Sequence, residues 1–328
     1  MFKNPIALSI ALALSSASLG LMTTSAHAAE TTTKAAQTMN PFFQQSPLAY
    51  QYPQFDKIKD SDFAPAFDRG MADNTAEINA IANNPAAPTF DNTIIAMEKA
   101  GQLLGRATTV FFNLSSANTN DAIDKLEGEY SPKFAAHFDS VYLNAKLFER
   151  IKTLHKNRET LGLDAQGVRL IERYYTDFMR SGANLTDAQK TRVKAINSEL
   201  ATLSTQFSQN VLAEVNDSAI IVSDRAELAG LSDEQIAGFA ESAKEKNMPG
   251  KYRIALVNTT IQPILPQLDN RALRERIHKA SVARGARGNE WDNRAIVSKV
   301  TKLRAERAAI MGYPSYAAFS MAEETAKN

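Results

Sequence analysis

One long apolar stripe constrains the fold of this 328-residue chain more than any other feature. It follows Thr186 and Gln189, which have the Ser/Thr-x-x-Glu/Gln spacing of a helix-capping box. This spacing predicts one helix of about 30 residues whose apolar side packs against neighbouring helices. The stripe consists of apolar side chains at alternating steps of three and four residues: Val193, Ile196, Leu200, Leu203, Phe207 and Val211.

Helical spacing continues through most of the chain. Phe63 and Phe67 lie four residues apart, as expected for one face of a helix. A long helix is predicted from Asp121 to about His155, bent at Pro132. Other helix starts and stops are indicated at Thr89, Asp164, Gly182, the capping box of Ser232 and Gln235, Asn270, Asp292, Gly312 and Ser315.

Two short segments and one aromatic segment depart from this period. Ala219–Val222 and Tyr252–Val257 are β-branched or alternating, so we expect them to pair as a small β element. Asn40–Asp56 carries aromatic residues among three prolines and is expected to pack over a neighbouring surface rather than to form a helix. Ser315 is expected to cap a last helix that continues to Asn328. The fold class is therefore mainly α.

Composition excludes several classes of partner and chemistry. The formal net charge is +1, which gives no reason to expect nucleic acid or an anionic membrane as partner. The chain has no cysteine, so it forms no disulfide, carries no lipidated cysteine and performs no thiol catalysis.

Residues 1–28 have the pattern of a secretory signal peptide. Lys3 supplies the positive start, Ile6–Leu14 the apolar stretch, and Ala26-His27-Ala28 a cleavage site of small residues. The alternative is a transmembrane anchor, although the apolar stretch is short for one. We expect a cleaved signal, a disordered linker at residues 29–39, a periplasmic location, and no membrane association after cleavage.

Several sequence motifs, taken in order, resemble the first part of a known peptidase family. They are Asn40-Pro41-Phe42, Phe63–Phe67, Thr89–Ile94, Val110–Leu114, Asn118–Asp121, Leu228–Leu231 and Gly312–Ala318. From about residue 40 onward the chain is similar to the N-terminal half of the thimet oligopeptidase and neurolysin family of zinc metallopeptidases. Leu256–Pro263 favours the bacterial peptidyl-dipeptidase (dipeptidyl carboxypeptidase) branch over oligopeptidase A.

The resemblance implies a fold, an activity and a domain organisation. The fold implied is a neurolysin-like helical half-molecule with a small β element, truncated before the zinc-binding domain. The activity implied is zinc-dependent release of dipeptides from the C-terminus of oligopeptides, by a protein that is a monomer when full length. The domains implied are an N-terminal helical domain at residues 40–258 and the truncated start of the catalytic domain at residues 259–328.

The metal motif of such a peptidase does not occur in the sequence. That motif has two histidines four residues apart and a glutamate after the first one as general base. The chain has His27, His137, His155 and His278; none is followed by Glu, and no two lie four residues apart. The family's zinc ligands, base and oxyanion-stabilising tyrosines map onto no residue here. No catalytic, cofactor-binding or metal-binding residue is therefore assigned.

Weaker candidate sites each have an ordinary structural interpretation. His155 and Glu159 could share a metal, but a surface pair near a helix end is favoured because no third ligand is close in sequence. His137 is expected to be a packed or half-exposed helix residue. His278 lies in a basic helix, Arg271–Arg284, expected to be a solvated face with Asp269 and Glu275 as partners.

Two further groups are considered as sites and set aside. Glu323 and Glu324 are adjacent, so on a helix they point in different directions and do not form a catalytic dyad. Phe63, Phe67, Phe111 and Phe112 could line a substrate channel, but packing in the core is the favoured interpretation.

Two functions from different classes follow. The first is the N-terminal part of a secreted peptidyl-dipeptidase, inactive by itself. The second is a non-catalytic helical module that binds peptides or a protein partner. Helices shaped to pack on a second lobe would leave apolar faces in water, so the first function predicts that the chain binds a hydrophobic dye and aggregates.

Overall fold

Helices dominate the computed structural model, which describes residues 39–326. The predicted signal peptide and the predicted linker, apart from Met39, lie outside the described residues. Packing divides the chain into two units, Met1–Phe112 and Asn113–Asn328. The prediction of a mainly α fold is confirmed. Among residues 39–326, no helix is both long and apolar enough to cross a membrane.

From Met39 onward, the first unit is built around three α-helices. A π-helix, Phe90–Ile95, begins at Thr89, whose hydroxyl accepts a hydrogen bond from the Asn92 backbone N–H, as the capping signal predicts. Two short 3-10 helices, Pro41–Phe43 and Ala49–Gln51, precede the first α-helix. The α-helices are α1 (Asp60–Ala82), α2 (Ala96–Lys99) and α3 (Gln102–Ala117), the last of which continues into the second unit.

Aromatic side chains form the core of the first unit. Phe63, Phe67 and Phe111 are fully buried, and the ring of Phe111 meets the other two edge-on at 5.2 and 5.1 Å. Gly70 lets α1 approach α3 closely, because a Cβ atom there would lie 2.9 Å from the backbone of Leu104. These three rings therefore pack in the core, as the sequence favours. Phe112, for which packing in the core is also favoured, is instead exposed.

The aromatic segment before α1 only partly covers the helices. Phe42 is buried against Phe63, at a ring separation of 5.2 Å. Tyr50 and Tyr52 are exposed, contrary to the expectation that the segment packs over a surface. The physical reason is local: Tyr50 and Gln51 adopt positive φ angles, and the turn closes on itself through hydrogen bonds between backbone groups of Leu48–Tyr52.

The second unit contains the remaining α-helices of residues 39–326, together with the 3-10 helices Arg158–Thr160 and Arg225–Leu228. These α-helices are α4 (Asp121–Tyr142), α5 (Ala145–Asn157), α6 (Ala165–Ser181), α7 (Asp187–Asp217), α8 (Asp233–Glu245), α9 (Asn258–Ile264), α10 (Arg271–Val282), α11 (Arg294–Ile310) and α12 (Tyr316–Met321). The capping boxes at Thr186 and Ser232 form as predicted. Gly182 ends α6 with φ of 100°, the left-handed cap that the sequence predicts.

Two predicted helix boundaries are wrong. The helix that starts at Asp121 ends at Tyr142, because the Asn144 side chain accepts a hydrogen bond from the Leu147 backbone N–H and starts a separate helix. The last helix ends at Met321 and does not continue through residue 326. Glu323 and Glu324 therefore lie after α12, not on a helix, and both are exposed.

The predicted β element is present as a two-stranded antiparallel sheet. It consists of β1 (Ile220–Val222) and β2 (Tyr252–Ile254), with Ile221 opposite Arg253. One side packs into an apolar cluster with residues of α8, α9 and α10, including Ile236, Ile261 and Ile277. This cluster spans the proposed domain boundary after residue 258, which stays a prediction.

The long helix α7 is the centre of the second unit. Its side chains Val193, Ile196 and Leu200 are buried, and α11 packs Leu303 against the last two. Further along the predicted stripe, Phe207 and Val211 are exposed. The first half of the stripe is therefore buried as predicted, whereas the second half is exposed to solvent.

Polar pairs join α7 to α4. Asn197 donates to Asp139 at 2.7 Å, Thr205 donates to Ser131 at 2.8 Å, and Gln209 donates to the backbone carbonyl of Asp124 at 2.7 Å. Residue numbers rise along α7 as they fall along α4, so the two helices are antiparallel.

Candidate functional site

His155 and His137, on neighbouring helices of the second unit, have different surroundings. His155 on α5 stacks on Tyr175 of α6, with ring centroids 3.9 Å apart. Burial, followed by the charge of Arg158, lowers the pKa of His155. Glu159 is exposed and lies 3.5 Å from Arg158. His155 and Glu159 therefore have other neighbours, as the surface interpretation of this pair expects.

His137 on α4 is buried beside Phe138, with ring centroids 5.5 Å apart. Burial lowers its pKa. The neutral imidazole is therefore favoured, which suits a packed helix residue.

The basic helix α10 carries His278 on its exposed side. Lys279 pairs with Glu275 at 2.5 Å, and Arg276 lies 3.6 Å from Glu227. Arg274 donates to the backbone carbonyl of Asp269 at 3.0 Å. These three cationic residues thus have partners within the unit, which agrees with the expected solvated, internally paired face.

The described residues do not fit a zinc site. Structural and catalytic zinc sites take three or four His, Cys, Asp or Glu ligands within about 2.3 Å of the metal. Between Met39 and Ala326, no group of three or more such side chains is placed to hold a metal ion. Catalytic chemistry through zinc is therefore not assigned to any of these residues.

A buried carboxylate is the centre of an ion-pair network in the second unit. Glu214, near the end of α7, is 2% exposed and accepts two hydrogen bonds from Arg287. Asp217 also pairs with Arg287, and Asn289 donates to Glu214 at 3.2 Å. The hydrogen bonds from Arg287 hold the pKa of Glu214 below its usual value. This network attaches the segment between α10 and α11 to α7.

A cleft of about 420 Å³ lies within the second unit, among α4, α6, α7, α11 and the start of α12. Its polar lining includes Asp139, Asn197, Arg304 and Arg307. Asp139 is 8% exposed, and burial raises the pKa of its carboxyl group. A buried carboxylate beside arginines is a common feature of binding sites for polar ligands.

One amide connects the two charged sides of this cleft. Asn197 donates from Nδ2 to Oδ1 of Asp139 at 2.7 Å. Its Oδ1 accepts from Arg307 at 3.1 Å. Arg307 also lies over the ring of Phe319, and Arg304 lies over the ring of Tyr316. The four side chains come from α4, α7 and α11, and the two rings come from α12.

Asp139, Asn197, Arg304 and Arg307 carry no motif in the sequence. The only local signal is that Asn197 directly follows Ile196 of the apolar stripe, so it lies beside a buried position. Asp139 and Asn197 are 58 residues apart and meet only because α4 packs along α7. One sequence alone does not reveal that contact.

Comparison with known proteins identifies relatives among peptidases. Residues 264–328 match the model of peptidase family M3. The chain is 43% identical over 290 residues to a dipeptidyl carboxypeptidase of Escherichia coli, an alignment that covers 88% of this chain and 43% of the relative. A dipeptidyl carboxypeptidase of Salmonella typhimurium is also 43% identical, with 88% of this chain and 42% of the relative covered.

A second group of relatives is more distant. Oligopeptidase A of Haemophilus influenzae is 27% identical over 280 residues, covering 84% of this chain and 41% of the relative. The chain thus spans less than half the length of the curated relatives it matches. The higher identity to dipeptidyl carboxypeptidases confirms the branch that Leu256–Pro263 favours. These matches, together with the ordered motifs of the sequence, show that the chain resembles peptidases of family M3.

Proposed function

We propose that the chain provides the N-terminal part of a zinc-dependent peptidyl-dipeptidase, which releases dipeptides from the C-terminus of oligopeptides. The observation that carries this proposal is the 43% identity to dipeptidyl carboxypeptidases over 88% of the chain. Identity at this level over 290 aligned residues favours the function of those relatives over that of oligopeptidase A, at 27% identity.

In this proposal the zinc ligands and the general base come from residues outside the 328-residue sequence. Two observations support it: the sequence has no histidine followed by Glu, and the alignment covers less than half of each relative. The family match begins at residue 264, close to the proposed start of the catalytic domain at residue 259. The chain alone is therefore expected to be inactive, and the full-length enzyme is expected to act as a monomer.

A periplasmic location is part of the same proposal. It is supported by the charged start, apolar stretch and small-residue cleavage site of residues 1–28. An oligopeptidase there would meet short peptides, and we propose neither nucleic acid nor a membrane as partner.

The proposal is tested on native material and on the recombinant chain in parallel. Protein captured from its natural source with antibodies against this chain is assayed for dipeptide release from an N-terminally blocked tripeptide, and its intact mass is measured. We expect activity that a chelator abolishes and zinc restores, in a species heavier than 35.9 kDa. The recombinant 328-residue chain with added zinc is expected to release no dipeptide.

Two outcomes would contradict parts of this proposal. Captured native protein without dipeptidase activity would exclude the peptidase role. Chelator-sensitive turnover by the recombinant chain would show that its own residues suffice. The alternative of a non-catalytic binding module is favoured only by the cleft around Asp139, and native protein that is inert but retains a bound peptide would support it.

A further inference from the structure

Two buried polar atoms at the cleft of the second unit have no hydrogen-bond partner. They are Oδ2 of Asp139 and Nε of Arg307. Buried polar groups in folded proteins are nearly always paired, and a buried charge without a partner is costly. Both residues line the same cleft, so a molecule bound there could supply a partner when the side chain turns its buried atom toward the cleft.

The cleft is also polarised by charge. Asp139 presents a carboxylate on the α4 side, and Arg304 and Arg307 present guanidinium groups on the α11 side. An anion alone would be attracted by the arginines and repelled by Asp139. A cation alone would be attracted by Asp139 and repelled by the arginines. A ligand with both charges satisfies both sides.

The distance between the two poles limits the size of such a ligand. Only the side-chain amide of Asn197 separates the Asp139 carboxylate from the Arg307 guanidinium, through contacts of 2.7 and 3.1 Å. The two amide atoms that make these contacts share one carbon. In an α-amino acid the ammonium nitrogen and the carboxylate carbon are likewise bonded to one carbon, the Cα. The two charges of the ligand are therefore spaced to lie alongside the Asn197 amide.

Ser181 and Ser204 also line the cleft, and its other walls are apolar or aromatic. Phe138 and Tyr142 of α4, Leu200 of α7 and Tyr316 of α12 line the cleft, whose volume of about 420 Å³ suits a ligand of amino-acid size. The terminal torsion of a carboxylate is soft, so Oδ2 of Asp139 can turn toward a donor in the cleft. An apolar side chain on the ligand would contact the aromatic rings.

We propose that this cleft binds a free α-amino acid with an apolar side chain, with its ammonium group at Asp139 and its carboxylate at Arg304 and Arg307. The site is formed by residues of the second unit alone. It does not depend on the proposed peptidase activity, and the two proposals are tested by separate measurements.

Binding is tested first with ligands and the unmodified chain. L-phenylalanine serves as the probe, with 2-phenylethylamine lacking the carboxylate and 3-phenylpropanoate lacking the ammonium group. Binding is followed by saturation-transfer NMR and by equilibrium dialysis of labelled ligand. For a ligand of this size we expect a dissociation constant on the order of 1 mM. Each single-charge analogue is expected to bind at least about tenfold more weakly, since it leaves one pole unpaired.

Variants then assign the two poles. Asp139→Asn is expected to weaken phenylalanine binding at least about tenfold, and Arg304→Gln several-fold, because each removes one charge. The matched controls are Asp269→Asn and Arg271→Gln, exposed positions outside the cleft, which are expected to leave binding unchanged. Arg304 is itself exposed, so its substitution poses little risk to folding.

The proposal has clear contrary outcomes. It is overturned if phenylalanine does not bind at concentrations well above about 1 mM, the dissociation constant expected for it. It is also overturned if the analogues bind as well as phenylalanine, or if Arg304→Gln has no more effect than Arg271→Gln. The analogue series needs no variant, so it decides the question even if Asp139→Asn does not fold.

Discussion

Arg287 donates two parallel hydrogen bonds to the Glu214 carboxylate, from Nε to Oε1 at 2.6 Å and from Nη2 to Oε2 at 2.9 Å. The two residues are 73 positions apart in the chain, and the carboxylate is 2% exposed. Two-bond arginine–carboxylate pairs combine charge with fixed geometry. The pair therefore fixes the segment before α11 to the C-terminal part of α7.

Removing the charge of Glu214 should destabilise the second unit markedly. In Glu214→Gln the buried carboxylate loses its charge and its paired hydrogen bonds from Arg287, which keeps Asp217 as a partner. Hydrogen bonds to a charged group contribute about 1.5–3 kcal/mol. The free energy of unfolding, measured with urea, is expected to fall by that amount. Glu241→Gln is the control, because Glu241 pairs with Lys244 at 3.2 Å on an exposed surface. Loss of this exposed pair should lower the free energy of unfolding by less than about 1 kcal/mol. Equal effects of the two substitutions would contradict the importance of burial.

The stabilisation from Glu214 should depend on pH in a definite direction. Hydrogen bonds from Arg287 lower the pKa of Glu214 from 4.5 in the folded state. A group with a lowered folded-state pKa stabilises the fold fully above its unfolded value and loses that contribution as the pH falls through the folded value. The difference in unfolding free energy between wild type and Glu214→Gln should therefore shrink below pH 4.5. A difference that stays constant or grows on acidification would be the contrary result.

Gly230 should tolerate no side chain. Its φ is +93°, and a Cβ atom would lie 2.1 Å from the backbone oxygen of Gln267. Gly230→Ala is expected to lower the unfolding free energy by about 2 kcal/mol or more, through strain and overlap with the backbone. The matched substitution is Gly238→Ala within α8, where a Cβ would meet no atom within 4 Å. That change should raise stability by about 0.5–1 kcal/mol, since alanine is a better helix former. This prediction is contradicted if Gly230→Ala and Gly238→Ala both raise, or both lower, the unfolding free energy.

The second half of the α7 stripe should bind a hydrophobic dye. Phe207 and Val211 lie one turn apart and are 39% and 44% exposed. Exposed apolar groups of this kind promote dye binding and association. The fluorescence of ANS is expected to rise with the isolated chain, and Phe207→Ser with Val211→Ser should remove much of the increase. Gln206→Ser, at an exposed neighbouring position, is the control and should change little. A dye-silent, monodisperse chain would contradict the expectation.

Local chemistry explains which parts of the fold the sequence predicts. Thr186 and Ser232 begin helices because each hydroxyl accepts a backbone N–H three residues on, a property of a few adjacent residues. The break after Tyr142 is less evident, since Leu143 has no strong preference against helix and only the Asn144 cap marks it. Short-range signals therefore carry most of the secondary structure.

Long-range packing explains what the sequence does not predict. The α7 stripe has one continuous period, yet Phe207 and Val211 are exposed. The neighbouring helix α11 begins only at Arg294, where Asn293 donates to the Phe207 carbonyl and accepts from Asn210. The cleft around Asp139 is hidden for the same reason, since its polar residues come from helices that are distant in sequence. Family motifs identified the chain without indicating this site.

The antiparallel contact of α4 with α7 limits how the second unit can move. Three polar links, from Asn197, Thr205 and Gln209, are spread over more than three helical turns of α7. A shift of one turn, about 5.4 Å, would break all of them at once. Sliding of one helix along the other is thereby blocked, and any hinge motion of this unit must carry α4 and α7 together as one rigid pair.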